Sequence, residues 1–190
     1  VNKAALTTLA GRIPLLGSLL RMVARQYADG SVVEIKQGIA SGLRWRRHHR
    51  YVNGYWIGHY ELPIQDVLRR ELSPGQTFYD VGANAGFFTL VAARLVGAQG
   101  KCVAFDPLPG NIESIREQVE LNSLSHCVVV PEALGEREGS ASFSFMSAGD
   151  SQGHLGGSRR PGERAIEVKV TTLDLAMERH GPPQFVKLDV

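Results

Sequence analysis

The sequence predicts an α/β fold built on a doubly wound parallel sheet, and three observations predict it. From Gln76 onward, short apolar runs alternate with stretches of helical periodicity, the pattern of strands joined by crossover helices. Those runs, such as Thr77–Val81 and Lys101–Phe105, are apolar without strict alternation, as burial on both faces produces. A tight turn containing Gly82 and Gly86 joins the first of them to the first helix.

Residues 1–75 read as a separate lead-in and residues 76–190 as the sheet domain. Within the lead-in, Leu15, Leu16, Leu19, Leu20 and Val23 recur at helical spacing and predict a helix packed on the main domain. Arg12, Pro14 and Arg21 interrupt it, so it falls short of the roughly 20 apolar residues of a membrane span; its alternative role is contact with a membrane surface. Ser31–Gly58 alternates apolar and polar residues between glycines and predicts short antiparallel strands. Pro63 opens a helix carrying Ile64, Val67, Leu68 and Leu72 on one face, which Ser73, Pro74 and Gly75 end.

The sheet domain then runs strand Thr77–Val81, helix Phe87–Val96, strand Lys101–Phe105, helix Asn111–Leu121 with Ile112, Ile115 and Val119 inward, and strand Cys127–Val130. An excursion at 139–170 interrupts the rhythm: Ala141–Phe145 and Ala165–Val170 alternate around a segment rich in glycine, serine and arginine, which predicts a hairpin with a long tip. Thr172 or Asp174 caps a short helix ending before Gly181, and Phe185 begins a fourth strand. Because the chain starts at Val1 and stops at Val190 inside the apolar run F-V-K-L-D-V, it is expected to be part of a longer protein, with its sheet incomplete after the fourth strand.

Composition narrows the function classes. With 190 residues and 43% apolar content the chain can bury its own core. Twenty-one basic against nineteen acidic residues leave a net charge of +2, which by itself implies no nucleic-acid partner. Cys102 and Cys127 sit in apolar runs and read as small buried hydrophobes; no histidine stands at metal spacing from them, so no metal site is expected. This usage suits a reducing cytoplasm.

The run F-Y-D-V-G-A-N-A-G-F-F, Phe78–Phe88, carries the most chemistry. Its small residues let a ligand lie against backbone N–H groups at a helix start. A carboxylate at the strand end, Asp80, would repel a pyrophosphate there but can hydrogen-bond the ammonium of a methionine moiety. The loop lacks both the full G-x-G-x-x-G series and a G-K-[ST], which argues against dinucleotide and ATP sites. In F-D-P at the end of the next strand, Asp106 stands where an acid in a doubly wound sheet reaches ribose hydroxyls.

D-V-G-A-N-A-G-F-F, A-F-D-P-L-P-G-N, L-N-S-L and E-A-L-G-E occur in the order found in FkbM-type methyltransferases, with G-H-Y-E upstream and T-L-D and V-K-L-D-V downstream. The resemblance covers about two thirds of the chain. It implies a class I, Rossmann-like methyltransferase fold with S-adenosylmethionine as cofactor and, for most members, O-methylation of a hydroxyl on a small molecule or glycan. It further implies that Asp80, Gly82, Asn84 and Gly86 line the methionine part, Asp106 the ribose, and Glu132 with Ala133 the adenine edge; Glu61, Ala83, Phe87 and Pro107 join the expected cofactor contacts. Asp106 stands where many members have glutamate.

A hydroxyl acceptor must lose its proton, which calls for a general base. Asp189, at the end of the fourth strand, is the first candidate, followed by His59 and by His154 in the glycine-rich tip. Arg44, Arg46, Arg47 and Arg50, interleaved with Trp45, His48, His49 and Tyr51, read as a solvated strand face; the functional alternative is an anionic acceptor or RNA. The expected activity is therefore small-molecule or glycan O-methylation, with RNA methylation through that cluster and a non-catalytic cofactor-binding module as the rival readings.

Overall fold

Thr77–Val81 is β-branched and aromatic, so it is suited to a pleated strand, and its last four residues are buried on both sides. In the computed structural model it is β3, a central strand of a parallel sheet. The structure describes residues 27–51, 53–146, 153–156 and 161–189; the helix expected around Leu15–Val23 lies outside them. In chain order the described elements are β1 (Val32–Glu34), β2 (Arg44–Arg46), a 3-10 turn (Tyr55–Ile57), α1 (Leu62–Glu71), β3 (Thr77–Val81), α2 (Phe87–Val96), β4 (Lys101–Phe105), α3 (Pro109–Leu121), β5 (Cys127–Val130), β6 (Ala133–Leu134), β7 (Gly139–Phe145), β8 (His154–Leu155), β9 (Arg164–Thr171), α4 (Leu173–His180) and β10 (Phe185–Leu188).

The parallel sheet has the order β10-β3-β4-β5. Because β3, β4 and β5 run outward in sequence on one side and β10 joins on the other, the strand order reverses between β3 and β10. In an open α/β sheet that switch point, at the carboxyl ends of the strands, is where the loops diverge and leave a crevice. Side chains alternate between two faces: Phe78, Cys102 and Ala104 pack under α2 and α3, while Tyr79, Val81, Val103 and Phe105 pack under α4 around Ala176. The doubly wound α/β class read from the sequence is borne out. Cys102 and Cys127 are free thiols facing each other across β4 and β5; contact with Cys127 and burial push the Cys102 thiol up from its ordinary range.

A second sheet has the order β6-β9-β7-β8, with β7 antiparallel to both neighbours and β6 parallel to β9. Its buried face gathers Ala133, Val168 and Val170, with Ala141, Phe143, Leu155 and Ile166 against them. Thr172 caps α4, its side-chain oxygen accepting from the Leu175 N–H at 3.2 Å.

The lead-in differs from expectation in one segment. β1 and β2 pair antiparallel, but Tyr55–Ile57 forms a 3-10 turn between two left-handed glycines, Gly54 (φ 64) and Gly58 (φ 88). The physical reason is tertiary: Tyr55 is buried in an aromatic cluster, stacked on Phe87 with centroids 5.5 Å apart and tilted against Trp45 at 5.2 Å. A Cβ on Gly58 would lie 1.9 Å from the Gln37 carbonyl oxygen, so the turn packs against backbone as only glycine permits.

The arginine cluster fastens this lead-in to α3. Arg44 donates to the Leu121 carbonyl, Arg46 to the Gly30 carbonyl at 2.8 Å, and Arg50 to the Gly110 carbonyl at 3.0 Å. Arg47 donates to Ser31 and lies over the Tyr27 ring, 4.1 Å from its centroid. His48 Nε2 is 2.6 Å from Glu117 Oε2.

Candidate active site

A cavity of about 220 Å³, open to solvent, lies at the carboxyl ends of the parallel strands. Its floor is built by the chain leaving β3 and β4. Gly82 (φ 72) and Asn84 (φ 51) adopt left-handed backbone so that the chain can turn within a few residues, and the N–H groups of Gly82 and Ala83 both donate to the Phe105 carbonyl at 3.0 Å. Gly86 (φ 88) begins α2; a Cβ there would meet Ile115 Cα at 3.3 Å, so glycine also lets α2 and α3 approach.

Asp106 is the centre of the floor. It is buried, yet Oδ2 accepts from the Asn84 N–H at 2.9 Å, and Oδ1 accepts from the Leu108 N–H at 2.9 Å and from Asn111 Nδ2 at 3.0 Å. Burial pushes its carboxyl up to about 6, against the pull of those three hydrogen bonds, and the charge on Asp80 adds to the rise. A carboxylate offers roughly four acceptor positions, so three protein donors leave room for about one more.

Of the residues expected to contact a cofactor, Gly82, Asn84, Asp106, Pro107, Glu132 and Ala133 line this cavity. Glu132 also pairs with Arg179 of α4 at 3.1 Å. Asp80, Ala83, Gly86, Phe87 and Glu61 do not line it. Asp80 lies wholly buried beneath the loop, its Oδ2 accepting from the Thr89 hydroxyl at 2.7 Å and its Oδ1 lying 3.5 Å from Lys187 Nζ. Ala83 packs against Ala104, Ile112 and Ile115, and Phe87 sits in the aromatic cluster with Trp45, Tyr55 and Tyr60. Glu61 is exposed at the start of α1.

Two of the three candidate bases reach the cavity. Asp189 lines it, held at the rim by its N–H donating to the Val81 carbonyl at 3.1 Å. His154 lines it from β8, with Nδ1 2.9 Å from the Gly156 carbonyl and Nε2 3.6 Å from Glu163 Oε2. His59, half-buried ahead of α1, does not line it.

Sequence reading missed the roof of the cavity. Phe143 and Leu155, register partners on β7 and β8, line it with apolar surface. Gly153 fixes the ring: a Cβ there would lie 2.3 Å from Phe143 Cε1. No local signal marks these residues, because their place at the cavity depends on how the second sheet folds. Asn111 was readable only as a helix residue, although its place five residues after an acid is a detectable spacing. Among the described residues no group of three or more His, Cys, Asp or Glu could hold a metal ion.

The chain is similar to solved structures over part of its length. A SAM dependent methyltransferase from Aquifex aeolicus is 31% identical over 35% of this chain and 36% of its own, with a TM-score of 0.33. An rRNA methylase from Streptococcus thermophilus is 17% identical over 37% of this chain and 41% of its own, with a TM-score of 0.34. A Streptococcus mutans protein solved in complex with SAH is 19% identical over 38% of this chain and 39% of its own, with a TM-score of 0.35. The matched part thus spans about two fifths or less of each of these chains. No curated protein matches the sequence. A family profile described as Methyltransferase FkbM domain matches residues 80–190, taking in the glycine turn, Asp106, the second sheet and β10. The chain belongs to that family of S-adenosylmethionine-dependent methyltransferases.

Proposed function

We propose that this chain supplies the cofactor side of an S-adenosylmethionine-dependent O-methyltransferase acting on a hydroxyl of a small molecule or glycan. The observation that carries the reading is the Asp106 network: a buried carboxylate at the second strand end, fixed by three protein donors, with acceptor capacity left over at a cavity wall. That arrangement suits one ribose hydroxyl, and the adjoining Pro107, Glu132 and Ala133 suit the base beyond it. The residues present therefore fit the cofactor.

When bound, S-adenosylmethionine supplies an activated methyl group on a sulfonium. The chain's own contribution is alignment and exclusion of water. Gly82 and Asn84 bring the loop backbone to the cavity, and Phe143 and Leu155 line it with apolar surface. Asp80 sits buried under the loop, where a negative charge would favour a cationic ligand over an anionic one. Asp189, at the rim next to the switch point, is positioned to take the acceptor's proton.

An RNA acceptor is the less favoured reading. The guanidinium groups of Arg44, Arg46, Arg47 and Arg50 are engaged in contacts within the protein, so the cluster is not an array of free phosphate ligands. No helix among the described residues is long and apolar enough to cross a membrane. The test is calorimetric titration of the purified chain with S-adenosylmethionine and with S-adenosylhomocysteine, followed by assay of hydroxylated acceptors for S-adenosylhomocysteine release. Binding of both cofactor forms with release supports the proposal. Absence of binding would remove it, and binding without turnover on any acceptor would favour the non-catalytic module.

A further inference from the structure

Lys187 is a buried cation at the switch point, and it belongs to no wall of the cavity. It stands in register with Asp80 on the neighbouring strand, Lys187 of β10 beside Asp80 of β3. Its ammonium lies 3.5 Å from Asp80 Oδ1, 3.3 Å from Asp189 Oδ2 and 5.3 Å from the centroid of the Phe88 ring. Lys187 is 9% exposed and Asp80 0%.

The energetic asymmetry of this pair is large. An unpaired carboxylate in a water-excluded site is so costly that it takes up a proton instead. Asp80 Oδ2 has the Thr89 hydroxyl, a neutral donor, but Oδ1 has no hydrogen-bond partner in the structure. Lys187 is the only cation paired with Asp80 among the described residues. The remaining titratable groups that face this pair cannot replace it. Asp106 at the end of β4 and the Cys102 thiol within β4 are acids, Asp189 beyond β10 is a third, and α2 contributes only Thr89 and Phe88.

We propose that Lys187 is a positioning residue for the methyl donor: it keeps negative charge on Asp80 beneath the Gly82–Gly86 loop and ties Asp189 to the same rim. The inference rests on the cofactor reading above. It adds that the preference for a cationic donor over its neutral product is set from below the loop, by a residue that does not touch the cavity. S-Adenosylmethionine carries one positive charge more than S-adenosylhomocysteine, so the two ligands read that field directly.

The experiment measures dissociation constants of both ligands between about pH 5.5 and about pH 8.5 for the wild type, Lys187→Met, Lys187→Arg, Asp80→Asn and the double variant Asp80→Asn/Lys187→Met. Lys187→Met should weaken S-adenosylmethionine by about tenfold or more at the acid end, with recovery as pH rises, while S-adenosylhomocysteine changes less. Lys187→Arg should restore both the affinity and the wild-type pH profile. The double variant, which removes the buried ions together, should fold and bind the donor weakly without the added pH dependence. Wild-type affinity and an unaltered pH profile in Lys187→Met, with Asp80→Asn weakened, would overturn the role of Lys187 alone. Unchanged binding by Asp80→Asn would overturn the role of Asp80 and the inference with it. If Lys187→Met does not fold, Lys187→Arg and the double variant decide: equal donor affinity in those two overturns the proposal.

Discussion

The two four-stranded sheets meet at one cavity and bring it opposite chemistry. The parallel sheet ends in polar groups, Asp106, Asn84 and Asp189, each held by backbone or side-chain hydrogen bonds. The second sheet contributes chiefly apolar groups, Phe143 and Leu155, held by packing, beside the His154 imidazole. The difference follows from how each sheet is made. Parallel strands buried on both faces present polar residues to a ligand at their carboxyl ends, where the chain turns. An antiparallel hairpin has one apolar face to offer along its length, and here that face reaches the cavity.

The strongest way to break this division is Asp106→Ala. It removes the remaining acceptor position and leaves the Leu108 and Asn84 N–H groups and the Asn111 amide without their partner. Cofactor affinity should fall about a hundredfold and stability by about 1–3 kcal/mol, read by calorimetric titration and thermal unfolding. Retained affinity would place the cofactor elsewhere than on this floor.

Phe143→Ala tests the roof and should be milder, about tenfold in affinity, because an apolar wall contributes area rather than a specific bond. Titration with adenosine alone should show the same proportional loss as the full cofactor. A fall in melting temperature with unchanged affinity would make the ring a structural part of the second sheet only.

The smallest effect is that of pH. Burial lifts Asp106 from 3.8 to about 6, so between those values the folded chain keeps a proton that the unfolded chain has released. The resulting stabilisation is complete below the lower value and is lost as pH rises through about 6. Binding moves the other way, since the ionised carboxylate is the better acceptor: affinity for S-adenosylhomocysteine should rise a few-fold from about pH 5 to about pH 7.5. Asp106→Asn should flatten that rise in the same titration.

How much was legible depended on whether the signal was local. Thr77–Val81, Phe87–Val96, Lys101–Phe105 and Cys127–Val130 were read with the bounds the structure shows, because buried strands and the helices between them are written in short apolar runs. Tyr55–Ile57 was misread as strand, since its aromatic alternation serves a cluster completed by Phe87 some thirty residues later. The arginine cluster was visible as composition, but only the fold shows its donors engaged along α3. Lys187 beside Asp80 is a register between strands 107 positions apart, which no spacing rule reports.

One consequence of the lead-in's docking concerns what the protein avoids. The outer edge of β2 is read by two amides, Gln118 of α3 and Asn122 at its C-terminal cap: Gln118 accepts from the Arg46 N–H and donates to its carbonyl, and Asn122 does the same for Arg44. Spaced one helical turn apart, they match alternate residues of a strand and imitate the ladder a neighbouring strand would form. A three-residue strand thereby has its free edge closed by a helix, and a second copy of the chain finds no open backbone there to add to.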